Sequence, residues 1–236
     1  DFNARREDGF RSMMSRDDID AVMILESDWY GVVPLMAACE YGKAIFCGAG
    51  VDLLPQTAVE LKNRIDQAGI AFMMEFPRRF APATIRLKEL MATRLGKPRL
   101  LFCHRRLACE PDSTRVQKPL QQRSQRELVE LIDWCRYIVG SEPTWIQGIR
   151  HPSPGDLQKS DYQILSLGFG DPESSTDAIL AQISCGAYMP SHWPEAIAFR
   201  PPAALQVCCE KGLAFLDLPS TLIWFDDAGR HQEVLD

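Results

Sequence analysis

Two carboxylates three residues apart, Glu130 and Asp133, stand in the segment Arg126–Val139, where Leu128, Leu131, Ile132, Cys135 and Ile138 recur at helical spacing. Residues i and i+3 of a helix are neighbours, so the pair has the make-up of a catalytic acid and base. It has equally the make-up of ion pairs, because Arg126 and Arg136 flank it. Arg78 and Arg79 form a guanidinium pair in the Pro77–Pro82 joint. They suit a carboxylate or phosphate, Arg78 as a cofactor contact and Arg79 as a substrate contact, or else they pair locally. Glu26 and Ser27 follow the apolar run Ala21–Leu25. That puts them at the carboxyl end of a strand, where open α/β sheets bind ligands, although the same residues could simply form a capping turn.

Other chemistries lack their residues. Cys39, Cys47, Cys103, Cys109, Cys135, Cys185, Cys208 and Cys209 form no CxxC pair, and several lie inside apolar runs. They read as reduced, buried thiols of a cytoplasmic protein rather than as a disulfide framework. His104, His151, His192 and His231 show no metal-ligand spacing, so no metal site is expected. GxSxG, HExxH and GxxxxGK[ST] are all missing from the sequence. A net charge of -6 argues against nucleic acid or an anionic membrane as partner. The apolar runs are also too short to span a bilayer. The chain opens on Asp1 without an initiator Met and without a long apolar leader, which fits a fragment or a processed form.

Positioning these residues takes two kinds of architecture. Strand candidates at Asp20–Leu25, Ala44–Cys47 and Ile70–Phe76 alternate with helix patterns at Val33–Glu40 and Gln56–Gln67, with Gly42 and Gly69 as C-caps. This order predicts βαβ units and a parallel sheet, and the continuous apolar runs predict cover on both faces. After the joint come a helix over Pro82–Leu95, a strand over Arg99–Leu107, a polar loop over 108–121 and the Arg126–Val139 helix. Strands at Thr144–Ile149, Tyr162–Phe169, Ala178–Tyr188, Leu205–Cys209, Ala214–Leu218 and Leu222–Phe225 then follow, with turn signals at Glu210–Gly212 and Asp226–Gly229. The expected fold is α/β plus α+β: a partial Rossmann-type parallel sheet in residues 1–77, then a mainly antiparallel sheet with helices on one face in residues 78–236.

Three strings carry a family resemblance: Asp18–Leu25 with Leu35–Lys43 and Ala44–Cys47, then Gly69–Phe80, then Pro82 with Leu87–Leu90. In this order they resemble the Gfo/Idh/MocA family of glucose–fructose oxidoreductase and inositol dehydrogenase, over nearly the whole chain. The resemblance implies a dinucleotide-binding domain and a sheet domain that often mediates oligomerisation. It implies NAD or NADP as cofactor, a sugar-like ligand and hydride transfer. It also implies that relatives extend beyond this chain at both ends, the Gly-rich turn lying before its start.

The departures from the family pattern fall on its chemistry. Where the family carries Glu-Lys-Pro, this chain has Gly48-Ala49-Gly50, which makes Gly48 a candidate cofactor contact and removes the lysine. The family's Gly-x-His-x-x-Asp becomes Leu128-Val129-Glu130-Leu131-Ile132-Asp133, keeping the aspartate and replacing the histidine by Glu130. The Asn-Arg-Arg-Phe-like segment becomes Pro77-Arg78-Arg79-Phe80. Losing lysine and histidine together removes the usual acid–base pair. The expectation is a pseudoenzyme with impaired or no catalysis. The alternatives are an active NAD(P)-dependent oxidoreductase with Glu130 and Asp133 as replacement groups, and a homo-oligomeric binding or assembly module.

Overall fold

The computed structural model describes residues 5–25, 30–48, 54–109, 120–153, 156–170, 178–190, 192–199 and 202–235. The chain divides into two compact units, Asp1–Glu75 and Phe76–Asp236. Among the described residues, no helix is long and apolar enough to cross a membrane.

The first unit contains α1 (Phe10–Met14), β1 (Ala21–Ile24), α2 (Val33–Glu40), β2 (Ala44–Cys47), α3 (Pro55–Ala68) and β3 (Phe72–Met74). The strands form a parallel sheet in the order β1-β2-β3. Both longer helices end where a glycine takes over. Gly42 has φ +64° just past α2, and Gly69, φ +63°, caps α3 by donating to the carbonyls of Ile65 and Asp66. Met14, Leu35, Ala38 and Leu61 from the helices close on Val22, Ile24, Ile45 and Cys47 from the sheet. Cover lies on one face only among the described residues, since Met23 and Met73 on the other face are largely exposed. Among the described residues the two-faced cover expected of these strands is not seen, because all three helices share one core with the sheet's inward residues.

The second unit opens with α4 (Pro77–Phe80) and α5 (Pro82–Leu90), the latter running into a wide π-type turn at Met91–Leu95. Then follow β4 (Pro98–Cys109), α6 (Leu120–Val139), β5 (Pro143–Ser153), β6 (Asp156–Phe169), β7 (Ile179–Pro190), α7 (Pro194–Ala198), β8 (Leu205–Cys209), β9 (Leu213–Asp217), β10 (Thr221–Asp226) and β11 (Gly229–Val234). The sheet order is β11-β10-β9-β8-β4-β7-β6-β5. Only β4 and β7 run parallel, and every other neighbouring pair is antiparallel. A mainly antiparallel sheet follows from short reversals such as those between β8 and β9 and between β10 and β11.

Alternation along the strands separates two faces. Leu101, Cys103, Ala181, Ile183, Leu167, Val207, Leu216 and Trp224 point into one core with Leu87 and Leu90 of α5 and Leu131, Trp134 and Ile138 of α6. The register puts Phe102, Leu180, Trp145, Ile149 and Phe225 on the opposite face, where each stands well exposed. Trp134 is fully buried, and its indole N–H donates to Thr84 Oγ1 at 3.0 Å, pinning α6 to α5.

Candidate functional site

The sequence-predicted carboxylates and arginines of the second unit meet on one side of α6. Helical spacing stacks Glu127, Glu130 and Asp133 one turn apart, and α4 delivers Arg78 and Arg79 from consecutive positions. The Arg78 guanidinium donates Nη2 to Glu127 at 2.6 Å and Nη1 to Glu130. Arg79 takes Asp133 in a two-pronged grip, with Nε to Oδ2 at 2.7 Å and Nη2 to Oδ1. Arg136 lies 3.4 Å from the same carboxylate, which is only 3% exposed. Arg79 also sits over the rings of Phe76 and Tyr137, at 5.2 and 5.4 Å from their centroids.

These contacts set what each group can do. Burial raises the Glu130 pKa above the ordinary carboxylate value and Glu127 adds to the rise, while Arg78 opposes it. A carboxyl in that state holds a proton more readily than a free glutamate, which is the property of a general acid. Its oxygen is nevertheless committed to Arg78. Asp133 accepts hydrogen bonds from the guanidiniums of Arg79 and Arg136. The arrangement can brace α4 against α6, and it can move a proton only where Arg78 lets Glu130 go.

Sequence reasoning did not single out Glu127, although it lies three residues before Glu130 on the same helix face. It also read His104 as a structural or surface residue. His104 stands on β4 opposite Ser184 of β7, with its Nδ1 2.5 Å from Ser184 Oγ. Arg106 Nε donates to His104 Nε2 at 3.4 Å. A ring whose Nε2 accepts carries its proton on Nδ1, so His104 donates to Ser184 and does not take the serine proton. Burial, and then the charge of Arg106, lower the His104 pKa and keep the ring neutral. The pair is therefore not a nucleophile and its base. The parallel β4–β7 register that brings these residues together has no local sequence signal.

The thiols are equally quiet. The seven described cysteines are unbridged. Burial pushes Cys185 and Cys209 up to about 12, which leaves little thiolate at neutral pH. No group of three or more His, Cys, Asp or Glu suited to a metal ion occurs among the described residues.

Glu26 and Ser27 lie outside the described residues. Gly48 follows β2 in the first unit, where its N–H donates to the Ile24 carbonyl at 2.8 Å. A Cβ at Gly48 would meet the Leu25 carbonyl oxygen at 3.1 Å and Leu25 Cα at 3.3 Å. This glycine thus lets β2 pass close to the end of β1. Among the described residues, no glycine-rich turn leads from a strand into a helix. The described part of this unit therefore does not fit a pyrophosphate cradle.

No family model matches the chain. Among curated proteins it is 23% identical over 194 residues to a 2,7-anhydro-N-acetylneuraminate hydratase of Mediterraneibacter gnavus, covering 78% of this chain and 49% of that protein. It is 26% identical over 165 residues to an oxidoreductase of Bacillus subtilis, covering 68% of this chain and 48% of that protein. The chain thus spans about half the length of these curated relatives. Among solved structures, the UDP-N-acetylglucosamine 3-dehydrogenase of Acidithiobacillus ferrooxidans superposes with a TM-score of 0.70 at 16% identity, over 98% of this chain and 68% of the other. An NAD-binding oxidoreductase of Klebsiella pneumoniae superposes with a TM-score of 0.71 at 15% identity, over 97% of this chain and 63% of the other. The fold is that of the Gfo/Idh/MocA-type oxidoreductases, a Rossmann-like sheet unit followed by a larger, mostly antiparallel sheet unit.

Proposed function

We propose that this chain is a Gfo/Idh/MocA-type protein in which the sugar-dehydrogenase fold serves binding and assembly while hydride-transfer catalysis is impaired or lost. The observation that carries the reading is the fate of the acid–base position on α6: Glu130 stands there, tied to an arginine that also holds Glu127. Ala49 at the position of the family's lysine supports the same reading, since an alanine supplies neither proton nor charge. The ligand is a sugar-like small molecule. The cofactor to test is NAD or NADP, which the fold calls for and the described residues of the first unit do not cradle. The unbridged and mostly buried thiols of the described residues support a reducing, cytoplasmic setting.

The eight-stranded sheet offers a surface suited to assembly. The uncovered face of the eight-stranded sheet presents Leu100, Phe102, Trp145, Ile149, Leu180 and Phe225, with Ile149 70% exposed. Exposed apolar side chains gathered on one face of a sheet suit an interaction surface, and a second copy of the chain is the partner we assign to it.

The reading is tested by titrating the purified chain with NADH and NADPH by calorimetry and then screening sugars and polyols for turnover. Absence of turnover above a matched blank supports it. Turnover at ordinary enzyme rates would overturn it and favour a second reading, in which Glu130 with its raised pKa is the replacement acid. In that case Glu130→Gln abolishes the activity, whereas Glu142→Gln on the surface leaves it intact.

A further inference from the structure

We infer that the second unit carries an oxyanion site, formed around Arg105 and Arg106, that takes a small metabolite bearing a phosphate or carboxylate group. The inference rests on the binding role proposed above and names its ligand class. A cavity of about 270 Å³ opens beside β4, lined among others by Arg78, Arg105, Arg106, Leu131, Trp134 and Asp217. It lies where the pairing of β4 with β8 stops at Cys103 and Leu205. Beyond that point β4 runs on without β8 at its side. Consecutive residues of a strand point to opposite faces, yet beside an open edge both can turn into the same gap. Arg105 and Arg106 both line the cavity there.

The charges in this cavity are not matched. Arg78 is held by two carboxylates, Glu127 and Glu130. Arg105 lies 3.5 Å from Glu127, an oxygen it shares with Arg78, and its side chain is 49% exposed. Arg106 has no carboxylate within 4.0 Å among the described residues. Its Nη1 donates to the Phe199 carbonyl at 3.1 Å and its Nε to the neutral ring of His104 at 3.4 Å. A carbonyl and an imidazole position the guanidinium without neutralising it, and among the described residues Nη2 has no hydrogen-bond partner. An arginine held in this way, with a second one next to it, is suited to the planar, two-oxygen grip of a carboxylate or phosphate.

The remaining walls restrict the ligand further. Leu131 and Trp134 are core residues that close the floor of the cavity and offer a ligand little surface of their own. Asp217, whose Oδ1 accepts the Ala204 N–H at 3.2 Å, is the carboxylate of the lining. It disfavours highly charged polyanions and can accept a hydroxyl from its ligand. The volume lies just under the range of roughly 300–1,000 Å³ usual for drug-sized ligands, so the occupant is small. A hydroxylated acid or a small phosphate ester meets these conditions.

The experiment is isothermal calorimetry of the purified chain with inorganic phosphate and with acetate at constant ionic strength, with glucose as the uncharged control. One of the anions binds in the millimolar range, and the tighter one tells whether phosphate or carboxylate is the recognised group. Arg106→Gln weakens that binding about tenfold or more, Arg105→Gln weakens it as well, and Arg64→Gln on α3 leaves it unchanged. Arg106→Lys keeps the charge and loses less than Arg106→Gln. Melting curves establish that each variant folds, and should Arg106→Gln not fold, Arg105→Gln decides by the same criterion. No binding of either anion at tens of millimolar, or unaltered binding by a folded variant, overturns the inference. Turnover with NADH or NADPH would remove the non-catalytic reading and leave this site standing. Absence of anion binding would remove the site and leave that reading standing.

Discussion

Arg79 and Asp133 form a two-pronged charge pair whose carboxylate is buried, and the pair behaves differently from one on an open surface. Asp133 is 3% exposed, so removing its main partner leaves a buried carboxylate with only Arg136, at 3.4 Å. Arg79→Met should lower the unfolding free energy by roughly 2–4 kcal/mol, read from urea midpoints. Lys62→Met, which breaks an exposed pair with Asp66 on α3, should cost less than about 0.5 kcal/mol. Arg78 allows a pH test. Burial and Glu127 hold the Glu130 pKa above its ordinary value, and Arg78 pulls against them. Arg78→Met removes that pull, so Glu130 in the folded chain binds its proton to still higher pH than in the unfolded chain. A carboxyl with a raised folded pKa loses stability as pH rises from about 4.5 through that pKa. The variant should therefore fall below the wild type by about 2 kcal/mol at pH 8, with the gap shrinking at pH 5. A gap that does not change with pH would separate Glu130 from Arg78. At this scale the sequence supplied Arg78, Arg79, Glu130 and Asp133, along with the choice between chemistry and ion pairing. It could not decide that choice, because the partners are about fifty residues apart in the chain and only the fold brings them together.

The elements were more legible than the contacts. Repeating apolar residues marked α2, α3 and α6, and the glycines after α2 and α3 carry the positive φ that a helix end requires. The start of α6 was less visible. The helix begins at Leu120, within the stretch read as a polar loop, because Gln121, Gln122, Arg123 and Gln125 favour helix yet carry no apolar period. Sheet order was not legible either, since β4 pairs with β7 and β8 across long separations that no local pattern encodes. One element-scale contact can be tested directly. Gly168 on β6 pairs with Trp145 on β5, and a Cβ at Gly168 would fall 1.9 Å from the indole nitrogen. Gly168→Ala should push Trp145 off the sheet, costing about 1–3 kcal/mol and altering tryptophan fluorescence in the folded state. A matching Gly→Ala change at Gly9, where no atom lies within 4 Å, should leave the fluorescence unchanged.

On the scale of the whole molecule, the open face of the eight-stranded sheet decides between a lone chain and an assembly. Its inward face is filled by α5 and α6, whereas Phe102, Trp145, Leu180 and Phe225 on the outward face keep 38–40% of their surface exposed and Ile149 keeps 70%. Scattered apolar residues on a surface are ordinary, but Phe102 and Leu180 stand on the neighbouring strands β4 and β7, and Trp145, Ile149 and Phe225 share their face of the same sheet, which a second such face can cover. Two copies meeting by a two-fold axis would bury each of these side chains against its counterpart region, and no new fold element is needed. The chain should therefore run in sedimentation as a multiple of 26.6 kDa at micromolar concentration. Ile149→Lys together with Phe102→Lys places uncompensated charge at the rim and in the centre of that face and should weaken association roughly a hundredfold, giving a folded species of 26.6 kDa. Val59→Lys on α3, an exposed apolar site in the first unit, should leave the assembly intact. A wild-type chain that sediments at 26.6 kDa would leave the sheet face uncovered and remove the assembly role from the proposal.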